Sequence, residues 1–315
     1  MKFGLLYDLR NPPRWYTPEN ELYNEFLDHC VMAEEAGWDC IWICEHHYDP
    51  DTNWIPSALT LAAAVAARTK RIKIGTGIIV LPQHDPVRVA EATTTLDHIS
   101  NGRFRLGVAL GYRVAECRAD NIDRKERIPR LIEGIKIIQK CFTEDKFSYE
   151  GKFWNITDMT FSPKPISKPY PPIYVAGNTK LAAARAGRLG VHAFPNADRE
   201  FANLYFEALK ENGHEPSQFE YAGLNGSLFV SEEPQKDWEA AKEHVMTRSE
   251  WYHYYYTEAG QRVGDTSTLE TRTESARKRF VDVQGATDHV EQLIAEVPQM
   301  TEIVWFAGYP GMPLS

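Results

Sequence analysis

The sequence predicts an α/β protein of the (β/α)8-barrel class, and three observations lead there. Short β-rich runs alternate with amphipathic helical patterns along the chain. The runs are apolar nearly throughout rather than alternating, as parallel strands covered on both faces require. Eight such runs can be counted in the 315 residues, and no GxGxxG follows the first, where a dinucleotide-binding doubly wound sheet would carry it.

The elements follow in order. Phe3 to Tyr7 reads as a strand and Asn20 to Ala36 as a helix stopped by Gly37. Cys40 to Cys44 is the second strand, Pro56 to Ala67 a helix, and Ile72 to Leu81 an extended run. Val87 to Ile99 is helical up to the turn Ser100-Asn101-Gly102, and Arg103 to Ala109 precedes the long helix Asp123 to Phe142. Residues 146–170 break the rhythm as an insertion. Within them Tyr149-Glu150-Gly151-Lys152-Phe153-Trp154 reads as a tight hairpin, and Pro163, Pro165 and Pro169 begin an extended surface crossing. Rhythm returns with strand Ile173 to Ala176, helix Thr179 to Arg188, strand Val191 to Phe194 and helix Glu200 to Asn212. Tyr221 to Val230 is extended and Pro234 to Tyr256 helical. The polar run 260–285 reads as a mobile loop or irregular helix near the barrel mouth. Helix Thr287 to Val297 and strand Glu302 to Phe306 complete one domain over 1–315.

Composition narrows the function classes. The 43% hydrophobic and 25% charged fractions match soluble globular chains, and no run approaches the roughly 20 apolar residues of a membrane span. Met1-Lys2-Phe3-Gly4-Leu5-Leu6-Tyr7-Asp8 lacks the form of a secretory signal. A net charge of −9 without a Lys/Arg block argues against nucleic acid, while leaving room for one phosphate site. Cys30, Cys40, Cys44, Cys117 and Cys141 form neither a CxxC nor an even framework; we read them as free thiols in a reducing, cytoplasmic compartment.

In a barrel of this class, reactive residues come from the C-terminal ends of the strands. Trp42-Ile43-Cys44-Glu45-His46-His47-Tyr48 brings two histidines and a carboxylate to one such end. Neighbours on a strand face opposite ways, so His46 and His47 are not expected to share a metal, and one of them faces the mouth. The glycines of Gly75-Thr76-Gly77 either admit a flat ligand or relieve crowding. Gly177-Asn178-Thr179 ends a strand just before a helix, which suits one phosphate or an ordinary cap. Trp15, Tyr16, Trp54, Tyr112 and the run Trp251 to Tyr256 are candidates for an apolar pocket, with core packing as the alternative. Arg88/Glu91 and Asp97/Arg103 read as structural ion pairs.

These residues, taken together, resemble the bacterial-luciferase-like flavin-dependent monooxygenases. The likeness lies in Met1-Lys2-Phe3-Gly4, Ala36-Gly37-Trp38-Asp39 leading to Glu45-His46-His47, and Gly75-Thr76-Gly77 followed by Val80-Leu81-Pro82. It continues through Pro86-Val87-Arg88-Val89-Ala90-Glu91, Leu96-Asp97, Ser100-Asn101-Gly102-Arg103-Phe104 and Pro172-Ile173-Tyr174-Val175-Ala176-Gly177. The resemblance implies a barrel holding reduced FMN at its mouth, with oxygen adding at the flavin 4a carbon and the resulting peroxyflavin oxygenating a small organic substrate. It implies His46 as the catalytic acid or base beside the flavin ring, a role suited to a group with an ordinary pKa near 6.5. Glu45, Gly77, Ile78, Ala109, Gly177, Asn178 and Thr179 would line the cofactor, Gly77-Ile78 matching a place where some members carry a cis peptide. Trp15, Trp54, Tyr112 and Trp251 would line the substrate pocket. Two departures stand out. Ala109 and Leu110 occupy positions where luciferase itself has a cysteine and a phosphate-binding arginine, leaving Arg113, Lys180 or Arg185 as substitutes. Val283-Gln284-Gly285-Ala286-Thr287 departs from the usual sequence before the last helix.

The implied partners are O2, an apolar or aromatic substrate and a separate flavin reductase, since the chain shows no nicotinamide site. A homodimer is expected, and the Ala-rich face of Ala58 to Ala67 is compatible with close helix packing. The alternatives are a deazaflavin-dependent hydride-transfer oxidoreductase on the same barrel and a non-catalytic flavin-binding protein. A glycoside hydrolase would need a second carboxylate facing Glu45, which the sequence does not offer.

Overall fold

The computed structural model describes residues 1–48, 55–260 and 269–312. Eight parallel strands form one sheet: β1 Lys2–Tyr7, β2 Cys40–Ile43, β3 Lys73–Thr76, β4 Phe104–Ala109, β5 Ile173–Ala176, β6 His192–Phe194, β7 Ala222–Leu224 and β8 Glu302–Phe306. Their order is β7-β8-β1-β2-β3-β4-β5-β6. Parallel bridges Ala193 to Tyr221 and Asn196 to Leu224 join the two edges, so the sheet closes into the expected barrel.

Helices wrap the outside, each placed by local signals. Helix α1 (Glu19–Glu35) carries Glu19 and Glu21 in its first turn, where the helix dipole favours anions, and buries Leu22, Phe26, Cys30 and Ala33 along one stripe. Helix α2 is Ala58–Arg68. Helix α3 (Pro86–Ser100) starts at the Asp85 cap, whose carboxylate accepts from Val87 N and Arg88 N. It ends at Asn101 in the left-handed region, followed by Gly102. Helices α4 (Arg127–Thr143), α5 (Lys180–Leu189), α6 (Arg199–Glu211), α7 (Pro234–Glu258) and α8 (Val283–Glu296) follow. Among the described residues no helix is long and apolar enough to cross a membrane. All five cysteines are buried and unpaired, and burial pushes every thiol up.

The barrel interior is bridged by polar groups. Glu302 at the start of β8 accepts from Trp42 Nε1 at 2.7 Å and pairs with Arg105 Nη1 at 2.6 Å. Trp42 stacks on Phe194 with centroids 4.6 Å apart. A Cβ on Gly75 would enter the Trp42 ring, so this glycine relieves crowding, one of the two readings its sequence allowed.

The structure corrects several boundaries. Ile72 to Leu81 is not one strand: β3 ends at Thr76, the Gly77–Ile78 peptide is cis, and Ile79–Val80 pairs separately with β4. Thr76 Oγ1 donates to Gly107 O at 2.8 Å and accepts from Gly107 N at 2.9 Å, which carries the sheet across the break. Tyr221 to Val230 divides likewise into β7 and a short run, Phe229–Val230, that pairs with Phe280–Val281 outside the barrel. Within the run read as a loop, Leu269–Arg277 is helical and residues 261–268 lie outside the described residues. The insertion is the expected hairpin, Lys146–Glu150 antiparallel to Asn155–Thr160. Arg88 pairs with Glu91 at 2.7 Å as read, but Asp97 and Arg103 do not pair. Asp97 accepts from Ser167 N and Oγ of the insertion, while Arg103 donates to the carbonyls of Ala66, Thr69, Ile72 and Ser100. Four carbonyl acceptors leave that guanidinium satisfied without a carboxylate.

Candidate active site at the C-terminal mouth of the barrel

Beyond β2, Glu45 and His47 come together on one side, Oε2 and Nε2 3.5 Å apart, as residues two apart in an extended run would, which puts His46 on the other. Glu45 is 4% exposed. Its Oε2 accepts from Val80 N at 2.8 Å, lies 2.9 Å from His84 Nε2 and stands 3.5 Å from His47 Nε2. Burial alone would raise this carboxyl, but His47, His84 and the Val80 amide hold it at about 2. The Glu45 carboxylate, 3.5 Å away, raises His47 in turn. The backbone of His47 is held at both ends, its N–H donating to Glu116 Oε1 at 3.1 Å and its carbonyl accepting from Arg113 Nη1 at 2.7 Å.

His46 faces the opposite way. The residue is half-buried, and no side-chain hydrogen bond holds its ring among the described residues. Burial and the nearby Arg10 and Arg113 charges push it well below the usual imidazole range, so the ring is neutral at pH 7. Arg10, just past β1, donates Nε to Asp8 Oδ2 at 3.0 Å and lies over Trp251 at 5.3 Å and Tyr252 at 5.1 Å. Arg113 lies over Tyr255 at 4.6 Å. Helix α7 thus lays an aromatic face on two arginines at the mouth.

That helix also gathers other expected pocket residues. Trp15 packs on His244 with centroids 4.0 Å apart, and Tyr112 packs on Tyr256 at 5.2 Å. The Tyr112 hydroxyl is buried with no hydrogen-bond partner among the described residues. Tyr16 is exposed and bonded to Glu19, away from any pocket, and Trp54 lies outside the described residues. A cavity of about 150 Å³ opens between the ends of β1 and β8, lined by Asp8, Arg10, Asn11, Tyr309 and Met312. A larger one of about 280 Å³, among Lys2, Asp39, Lys73 and Arg105, lies where strands begin. Chemistry in this class of barrel sits where strands end, so we assign the site to the mouth.

At β5, Gly177 has φ +150° and a Cβ there would press on Ala182, so the turn into α5 requires glycine. Thr179 caps α5, accepting from Ala182 N at 3.1 Å, while Asn178 Oδ1 accepts from Asn196 N at 2.7 Å. Lys180 pairs with Glu200 at 2.5 Å, Arg185 is buried along α5, and Arg113 serves the His47 carbonyl. Ala109 ends β4 beside Val80.

Residues 1–302 match the family described as luciferase-like monooxygenase. The chain belongs to that family. The oxygenase component of a flavin-dependent trigonelline monooxygenase from Acinetobacter baylyi is 32% identical over 178 residues, 56% of this chain and 49% of the relative. An F420-dependent glucose-6-phosphate dehydrogenase from Amycolatopsis mediterranei is 33% identical over 172 residues, 53% of this chain and 51% of the relative. The chain spans about half the length of these two relatives. Monooxygenase RslO1 from Streptomyces bottropensis superposes with a TM-score of 0.85 at 21% identity, covering 100% of this chain and 94% of that one. Identity at that level speaks for the shared fold.

Within this luciferase-like barrel, three participants lie outside the residues that the sequence reading singles out. His84 follows the third strand in Pro82-Gln83-His84-Asp85 with no motif to mark it, and reaches Glu45 only through the fold. Asp8 and Arg10 do carry a signal, two charged residues directly after an apolar strand at its C-terminal end.

Proposed function

We propose that this luciferase-like chain is the oxygenase of a two-component system, taking reduced FMN from a separate reductase and using O2 to oxygenate a small apolar or aromatic substrate. The observation that carries the reading is His46: a half-buried histidine whose side chain makes no hydrogen bond among the described residues, at the strand ends where this fold does its chemistry.

The donor set suits the cofactor. Thr179 takes the Ala182 N–H, but the N–H groups of Lys180 and Leu181 that open α5 have no intrahelical acceptor, and with Asn178 and Thr179 beside them they would take a phosphate. Gly77, Ile78 and Ala109 stand at the ends of β3 and β4, where the flavin ring would lie, while Glu45 turns to Val80, His47 and His84 instead. When bound, reduced flavin supplies the electron pair that activates O2. His46 then does what a neutral imidazole can: one ring nitrogen accepts a proton while the other donates one. The Arg10 and Arg113 charges disfavour a proton held permanently on that ring. The Tyr112 hydroxyl offers one further hydrogen bond, and the aromatic face of α7, with Trp15 and Trp251, would exclude water and receive an apolar substrate.

A second reading, deazaflavin-dependent hydride transfer, is favoured by the likeness to the Amycolatopsis dehydrogenase. Anaerobic titration with reduced FMN and with reduced F420, followed by admission of oxygen, separates the two. The monooxygenase reading expects tighter binding of reduced FMN and substrate-dependent oxygen uptake that His46→Ala abolishes. Preference for the deazaflavin without oxygen uptake overturns it.

A further inference from the structure

We propose that Glu45, His47 and His84 form a binding site for one divalent transition-metal ion of the zinc type, separate from the flavin reading. Their ligand atoms all lie within 4.8 Å of one another. Metal bonds of about 2.0–2.1 Å to nitrogen and oxygen place neighbouring ligands about 3 Å apart. The Glu45 Oε2 distances of 2.9 Å to His84 Nε2 and 3.5 Å to His47 Nε2 fall in that range. Two imidazoles and one carboxylate suit zinc, cobalt or iron(II), whereas magnesium and calcium favour all-oxygen shells.

Two further observations point to a cation. The His47 Nε2 atom is buried and makes no hydrogen bond, although it aims at the carboxylate. A proton shared by Glu45 and His84 would leave that nitrogen unsatisfied; a metal would satisfy all three groups at once. The supports are also preset. Val80 N–H orients the carboxylate, and Glu116 and Arg113 fix the His47 backbone, as outer partners do around metal ligands. Sequence alternation excludes a metal shared by His46 and His47, but residues 45 and 47 face the same way, and β3's continuation brings His84 to them. An ion held there clasps both neighbours of His46 and so fixes the chain from which that ring projects.

The protein, stripped with chelator, is titrated with Co2+ and followed by visible absorption and calorimetry. One equivalent is expected to bind with ligand-field bands, and His47→Gln and His84→Gln are each expected to weaken it by at least about 100-fold. Exposed His98→Gln, outside the cluster, leaves binding unchanged. In parallel, added Zn2+ raises the wild-type melting temperature and chelator reverses the rise, a readout that does not depend on any variant folding. Absence of stoichiometric Co2+ binding, binding indifferent to both substitutions, or a melting temperature unmoved by Zn2+ overturns the site.

Discussion

Arg105 and Glu302 form an ion pair inside the barrel, 2.6 Å apart and with side chains 5% and 0% exposed. The same carboxylate takes the Trp42 indole N–H, so one group ties β2, β4 and β8 together across the barrel interior. Burying two charges costs much of what their attraction returns, but removing one partner strands the other in a low dielectric. Glu302→Ala leaves Arg105 to Glu220, 3.6 Å from its Nη2, and is therefore expected to lower unfolding stability by about 3 kcal/mol in urea titrations, the low end for a broken buried pair. The double change Arg105→Met, Glu302→Leu should lose much less. Equal losses for the single and double variants would sink the account.

His192 couples stability to pH. Its Nδ1 accepts from Glu220 N at 2.9 Å and its ring stacks on Tyr174 at 4.8 Å, and the acceptor role requires a neutral ring. Burial lowers its pKa to about 4, Glu220 pulling it up and Arg105 and Lys2 pulling it down. In the unfolded chain a histidine protonates near 6.5. Between those values the unfolded state binds more protons, so this contribution is fully present above about pH 6.5 and is lost as pH falls toward 4. Urea midpoints measured from pH 7 to pH 4.5 should fall more steeply for wild type than for His192→Phe. Parallel curves would remove His192 from the acid sensitivity.

How much was legible follows from where each signal resides. Strands Ile173–Ala176 and Glu302–Phe306 match their sequence boundaries because local apolar runs end at glycine or charged residues. The break after Thr76 is not legible in a continuous apolar run, and the Thr76 hydrogen bonds that carry the sheet across it go to Gly107, 31 residues away. Asp97 and Arg103 read as a pair at short spacing, yet a carbonyl of α2 takes the guanidinium and donors of the insertion take the carboxylate. In the candidate site, the Glu45-His46-His47 run announced itself as a cluster. Its division into a Glu45/His47 face and a His46 face depended on His84 and Arg10, whose positions only the closed barrel supplies.

Gly75 offers a packing test independent of any ligand. A Cβ there would enter the Trp42 ring, which is wedged between Phe194 and Tyr174 with no exposed surface through which to yield. Gly75→Ala is expected to destabilise by about 1–3 kcal/mol, the usual cost of overpacking a core. Gly213→Ala meets no atoms within 4 Å but sits at φ +78°, so backbone strain alone should account for its smaller loss, about 1 kcal/mol. A neutral Gly75→Ala in calorimetry would mean that Trp42 can rearrange.

Thr179 separates the phosphate assignment from simple helix capping. Its Oγ1 accepts from Ala182 N, so Thr179→Ala should cost about 1 kcal/mol of stability whatever the site binds. A cap defect alone would weaken every flavin equally. If the start of α5 holds the phosphate, the same substitution weakens reduced FMN by about tenfold, the loss of one charge-assisted hydrogen bond, while reduced riboflavin, which has no phosphate, binds as before. Anaerobic titration of wild type and Thr179→Ala with both flavins decides the matter. An equal fall for the two ligands places the phosphate elsewhere, with Arg185 as the next residue to replace, since its buried Nη1 finds no acceptor among the described residues.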